Sequence, residues 1–216
     1  MAARSQTPAP AARAAARARI LAAALRLFRE RGVEHVAFGD IARKARASRP
    51  LVYFYFPSLH ALILEAHLAG LQGLHARFRA AAATGRTGLA ATEAIGRAFL
   101  AYHDEAPDLF HICSLAAPPR RGSPSDDPLM AAVERETQAV MDLFVGVIKR
   151  GQRDRSISRA AGAPLVIALS LWGLTHGLSQ LAHTQREALT ETYRIPPPAL
   201  LEAGIALLIR ALSGRA

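Results

Sequence analysis

Three observations predict an all-α fold. Ala, Leu and Arg dominate a 216-residue chain that is 51% hydrophobic, and these residues lead the helix-propensity scale. No run alternates apolar and polar residues with the β-branched enrichment of a strand. Apolar positions instead recur three and four residues apart in nearly every segment between Pro- and Gly-rich breaks. The length suits one sizeable domain or a small one joined to a larger one.

The first segment, 1–13, has no periodicity and is expected as a disordered basic arm. From about Arg13 to Arg31 a helix is predicted, with Ile20, Ala23, Ala24, Leu27 and Phe28 as one apolar stripe. Gly32 stands where a glycine C-cap belongs. Next comes FGDIARKARASRPLVYFYF, from Phe38 to Phe56. Phe38, Ile41, Ala42 and Ala45 have helical spacing and form the buried face of a short helix. Ser48 has the chemistry of an N-cap, and Pro50 falls in the first turn of the next helix, where its missing N–H costs nothing. Two short helices around a tight turn, with a basic and aromatic second helix, make the pattern of a helix-turn-helix over about 37–56.

Charge agrees with that pattern. The net charge is +10, and residues 1–50 hold 11 Arg and Lys against three acids. The rest hold 16 against 14, so the charge sits at one end, as in a protein that presents that end to a polyanion. A membrane surface or RNA would accept such a face too, which keeps an architectural DNA-binding or basic membrane-surface protein without effector control as the alternative. Only Lys44 and Lys149 are lysines, so a GC-rich genome explains part of the arginine excess.

The helix, Gly32, Asp40-Ile41-Ala42, Ala45, Ser48, Val52-Tyr53, Tyr55-Phe56 and the run from Ser58 to Leu62 resemble the N-terminal domain of TetR-family transcriptional regulators. The resemblance covers roughly 14–74 and implies an all-helical homodimer: an N-terminal three-helix DNA-binding head at 14–74, a connecting helix, and a larger helical C-terminal domain at 75–216 that binds a small effector and dimerises. It also implies that Tyr53 and Tyr55 contact phosphate. Three positions depart from the family pattern. Ala37 replaces the usual Ser or Thr cap, Arg46 replaces the glycine of the turn, and Leu59, followed by His60, replaces the phosphate-gripping lysine.

Base reading is expected from the start of the second short helix. Arg49 can pair with guanine O6 and N7, and Leu51 can touch a thymine methyl. Arg43, Lys44, Arg46, Ser48, Pro50 and Ser58 complete the expected DNA-facing set.

Beyond the head, a helix is predicted from Ser58 to about Ala82, another over 89–105, and an apolar segment, LFHICSLA, after Pro107. Residues 118–128 read as a surface loop. Helices then follow over about 129–150, 164–183 and 199–212. Leu165 to Ala182 carries no Asp, Glu, Lys or Arg. Its Ser170, Thr175, His176, Ser179 and Gln180 favour a buried, self-associating helix over a membrane span.

The segment LWGLTHGLSQL resembles the Trp-His-Gly type of TetR C-terminal domain. Gly173 and Gly177, at i and i+4, make a smooth strip for close helix approach, and Leu201, Ile205 and Leu208 are expected to join it in a dimer interface. Phe99, Tyr102, His103, Phe110, Phe144, Trp172 and His176 are the candidate lining of a lipophilic pocket. No P-loop, G-x-S-x-G, H-E-x-x-H or cysteine pair occurs, so no enzyme, metal site or cofactor is expected. The single Cys113 fits a reducing, cytoplasmic setting. The expected partners are an operator in double-stranded DNA, a second copy of the chain and an unidentified effector, with no membrane.

Overall fold

The computed structural model describes residues 10–115 and 126–213, with the side chains of 113–115 left aside. Nine α-helices occur among them, and no strand. They are α1 (Pro10–Arg31), α2 (Phe38–Lys44), α3 (Arg49–Tyr55), α4 (Leu59–Thr84), α5 (Gly88–Glu105), α6 (Pro107–Leu115), α7 (Pro128–Arg153), α8 (Pro164–Thr184) and α9 (Pro197–Ser213). Short 3₁₀ turns lie at Val33–His35 and Arg159–Ala161, and a π-turn at Ala188–Thr192. Helix α1 starts at Pro10, within the segment expected as an arm. Residues 1–9, and most of the expected loop at 118–128, lie outside the described residues.

The chain divides into two compact units. One takes Met1–Gly70 and Asp108–Val133, and the other Leu71–Pro107 and Glu134–Ala216. The first therefore recruits α6, which nothing local in the sequence assigns to it. Ile112 of α6 is 2% exposed and joins the core made by Ile20, Ala24, Phe28, Ile41, Val52, Phe56 and Leu62. Arg29 pairs with Asp108 at the start of the same helix.

Local rules set the ends of the head helices. Gly32 adopts φ 82°, and its N–H donates to the Phe28 carbonyl at 2.9 Å, closing α1 as the glycine pattern predicts. Helix α2 starts from Ala37, which offers no side-chain cap. Asp40 supplies the other half of a capping box, accepting from the Ala37 N–H at 3.2 Å. Ser48 Oγ accepts from the Leu51 N–H at 3.3 Å and Ser58 Oγ from the Ala61 N–H at 3.0 Å, so both serines cap their helices.

In the second unit, α9 packs on α8 and α5. Gly88 and Gly151 let α5 and α7 approach closely, because a Cβ on Gly88 would overlap the Gly151 backbone. The unit's core includes Ile95, Phe99 and Tyr102 of α5 with Ile148 of α7 and Ala168 of α8. Helix α7 runs on to Arg153, past the end expected at about 150. Isolated from context, α8 has the length and apolarity of a membrane span, with a mean hydropathy of 1.4.

Candidate nucleic-acid interface

Helix α3 alternates between the core and solvent within seven residues. Val52 is fully buried and Phe56, its C-cap, is 0% exposed, whereas Tyr53 is 57% and Phe54 71% exposed. Arg49 and Pro50 are exposed at the first turn, and Leu51 is half-buried. This leaves the N-terminal turn of α3 open to a partner while its other side locks the helix into the head. The aromatic run thus divides its roles. Tyr53 stacks edge-on against Phe38, with ring centroids 4.7 Å apart, and keeps more than half its surface in water. Phe54 has no place in the core and adds an exposed aromatic that sequence reasoning missed; with no periodic partner, only its position between two tyrosines marked it.

Arg49 lies across the bare backbone of α2. A Cβ built on Gly39 would fall 2.5 Å from its Nη2 and 3.1 Å from Cζ. Glycine in a helix interior is disfavoured, and here its missing side chain gives the guanidinium room at the crossing of the two helices. Arg43, Lys44, Arg46, Ser48 and Ser58 are also exposed, but two of these cations have partners inside the head. Arg43 pairs with Asp40 at 2.8 Å and Lys44 with Glu30 at 3.3 Å. Such exposed pairs contribute at most about 1 kcal/mol, so a phosphate can displace them at little cost.

Two arginines of α1 have structural tasks in the head. Arg19 Nε donates to the Ala45 carbonyl at 3.1 Å, satisfying an orphan acceptor at the end of α2. Arg17 pairs with Glu65 and lies 5.2 Å over the Phe56 ring. These contacts join residues 26 or more positions apart, which is why local sequence patterns did not reveal them.

Arg46 takes the left-handed conformation expected of the missing turn glycine, with φ 50°. The turn is held by N–H donors of Arg46 to the Arg43 carbonyl (3.2 Å) and of Ala47 to the Ala42 carbonyl (2.9 Å). A Cβ in this conformation costs on the order of 1–2 kcal/mol. Arg46→Gly is therefore expected to stabilise the chain by about 1 kcal/mol after glycine's extra unfolded-state freedom is counted. In a thermal melt this corresponds to a gain of roughly 2–4 °C for a chain of this size.

Phe110 belongs to the first unit and Phe99, Tyr102, His103, Phe144, Trp172 and His176 to the second. Phe99, Tyr102 and Phe144 are buried packing groups, Phe144 lying 6.3 Å from Phe78 ring to ring. The remaining three converge on α5 and α8. Trp172 and His176 are 6.4 Å apart between ring centroids, and His103 stands 6.1 Å from His183. Burial, and then the neighbouring His103, hold the His176 pKa below the ordinary imidazole value. His183 is thus a member that the sequence reading missed. Among the described residues no group of three or more His, Cys, Asp or Glu is placed to hold a metal ion.

On α8, Gly173 and Gly177 face open space, with no atom within 4 Å of a Cβ built on either. Around them lie Val166, Leu169 and Leu181, each at least 43% exposed. Of the α9 residues expected beside them, Ile205 packs inward against α5. It is 3% exposed and lies 3.5 Å from a Cβ position on Gly96 of α5. Leu201 and Leu208, on the same helical face, are half-buried. The outward apolar residue of α9 is Leu207, 60% exposed. The sequence of α9 is apolar on more than one side, so spacing alone did not choose its inward face.

A helix-turn-helix head on an all-helical chain, with one exposed and basic helix start, defines the class of helical DNA-reading proteins. The comparisons narrow it. Residues 20–66 match the profile of bacterial regulatory proteins of the tetR family. A curated relative, the HTH-type transcriptional regulator EthR of Mycolicibacterium smegmatis, is 41% identical over 68 residues. That match covers 28% of this chain and 31% of the relative's length. The fold is shared over nearly the whole chain. A bacterial regulatory protein in the tetR family from Rhodococcus RHA1 superposes with a TM-score of 0.73 at 18% identity, covering 93% of this chain and 98% of that one. The transcriptional regulator FadR from Bacillus subtilis, in complex with stearoyl-CoA, gives 0.68 at 12% identity over 90% and 98%. At such identities the structures establish the fold alone. Residues 20–66 thus carry a tetR-type N-terminal domain.

Proposed function

We propose that the protein is a DNA-binding transcriptional regulator, a homodimeric repressor released from a palindromic operator by a small lipophilic effector. The observation that carries this reading is the exposed first turn of α3, with Arg49 unburied at its start, inside the segment that matches the tetR family. A guanidinium fork at a helix start suits guanine in the major groove. Tyr53, Tyr55, Ser48, Ser58, Arg43, Lys44 and Arg46 are assigned to the phosphates, Leu51 and Pro50 to the groove wall. The 14–74 and 75–216 boundaries are kept as the DNA-binding and effector domains.

Support for a second copy comes from α8, whose outward face is apolar and smooth at Gly173 and Gly177. Support for the effector comes from the Trp172, His176, His103 and His183 cluster and from the stearoyl-CoA carried by the FadR relative. An effector acts by binding the non-DNA conformation more tightly. A hundredfold loss of operator affinity requires a coupling of about 2.7 kcal/mol. Regulators of this kind work in the cytoplasm.

The roles within α3 are tested by binding titrations on a selected operator and on scrambled duplexes. Arg49→Ala is expected to relax preference at one base pair per half-site, costing about 1–3 kcal/mol there. Tyr55→Phe is expected to weaken binding evenly on every sequence. If both variants lose affinity uniformly, the division between base reader and phosphate anchor is wrong.

A further inference from the structure

The segment that ends α7 and leads to α8 carries charge that the DNA-reading head does not use. Between Lys149 and Arg159 the chain has five cations and one acid, Asp154. Arg150 is committed to the fold, its Nη2 donating to the Gly85 and Thr87 carbonyls at 3.1 Å. Asp154 is committed as well. It accepts from the Gly88 N–H at 2.8 Å and the Ser156 N–H at 3.0 Å, and hydrogen bonding from Ser156 holds its pKa below the usual carboxylate value. Lys149 is exposed but does not line the groove described next, and Arg153, Arg155 and Arg159 are exposed and form no guanidinium hydrogen bond or ion pair with any described residue.

These three arginines, with Gln152, Ile157 and Ser158, line one open groove of about 470 Å³. Its backbone is fixed from several sides. The Ile157 N–H donates to the Gly151 carbonyl at 2.9 Å, the Ser158 N–H to the Leu212 carbonyl at 2.8 Å, and Gln152 Nε2 to the Gly162 carbonyl at 2.8 Å. Ile157, 1% exposed, is the closed floor. Arg155 itself stands at φ 63°, a left-handed conformation that disfavours any residue with a Cβ. The fold thus holds three like charges around one concavity in water, at a cost in mutual repulsion, on a scaffold that is already set.

We infer that this groove is an anion site for a small molecule bearing two or more phosphates. Guanidinium groups donate in pairs to phosphate oxygens, and three of them match a pyrophosphate better than a single carboxylate. The inference is independent of the DNA-binding role, because it uses other residues.

The test is calorimetric titration of the full-length protein with inorganic pyrophosphate, with ADP, and with sulfate at matched ionic strength. The protein is expected to bind pyrophosphate or ADP and not sulfate. Equal affinity for the two phosphates identifies the diphosphate alone as the recognised group, and tighter ADP binding identifies a nucleotide. The double variant Arg153→Gln/Arg159→Gln is expected to bind about tenfold more weakly or worse, as loss of charged hydrogen bonds requires. Arg155→Gly separates fold from site: it is expected to melt at a higher temperature and yet bind pyrophosphate more weakly. Absence of binding by the unaltered protein, or unchanged binding by both variants, overturns the inference. So does a loss of affinity for every duplex DNA in the groove variants, which would make the groove a contact for nucleic-acid backbone.

Discussion

Phe56→Ala is expected to unfold the head under mild denaturant. Phe56 is fully buried where α3 ends, and its ring carries Arg17 at 5.2 Å, itself paired with Glu65 of α4. Truncating a buried phenylalanine typically costs about 3–5 kcal/mol through lost burial and the cavity left behind. That is a large part of the roughly 5–15 kcal/mol that a domain has in total. Loss of the ring also removes the platform under Arg17, so the pair with Glu65 loses support. Urea unfolding followed by circular dichroism checks the expectation. Phe54→Ala, two residues away and 71% exposed, serves as the comparison and is expected to change stability by less than about 0.5 kcal/mol. Similar midpoints for the two variants would place Phe56 outside the core and contradict the packing described for α3.

Gly177→Arg is expected to abolish self-association and with it operator binding. The residue faces open space at the centre of the apolar side of α8, next to Gly173 and among Val166, Leu169 and Leu181. A two-fold interface brings each substituted position against the same patch on its partner. It would bury two unpaired guanidinium groups, each at a penalty of several kcal/mol. Within one chain the same substitution meets no neighbour, so the monomer is expected to keep its helicity. Sedimentation velocity separates the outcomes: a folded monomer agrees with the proposal, and an unchanged dimer places the interface elsewhere. Leu207→Arg, on the outward side of α9, is expected to weaken association in the same direction.

How much of this was legible in the sequence depends on the range of the contact. Gly32, Ser48, Ser58 and Arg46 act on their own turns, and each was readable because capping and left-handed geometry need particular residue types at particular offsets. The buried stripe of Ile20, Ala24 and Phe28 was readable from its 3.6-residue period. What was not readable depends on distant partners. Nothing near Ile112 says that α6 packs into the first unit, and nothing near Arg19 says that it closes the end of α2. Lys44, expected on DNA, is paired with Glu30 fourteen residues earlier. The inward face of α9 needed the position of Gly96, more than a hundred residues away. In the candidate interface, residue types marked Arg49 and the tyrosines, while the bare backbone at Gly39 that gives Arg49 its place is a tertiary fact.

Selection from a pool of randomised duplex DNA, carried out with the purified full-length protein at two salt concentrations, tests the central claim most directly. Enrichment of one sequence with two-fold symmetry is predicted, its half-sites about one helical turn or a multiple apart. Affinity should fall with salt while the preference over random duplex persists, since phosphate contacts carry the salt dependence and base contacts the preference. Enrichment of no sequence even at low salt, with binding that merely tracks ionic strength, would contradict it and make the basic head a general polyanion surface.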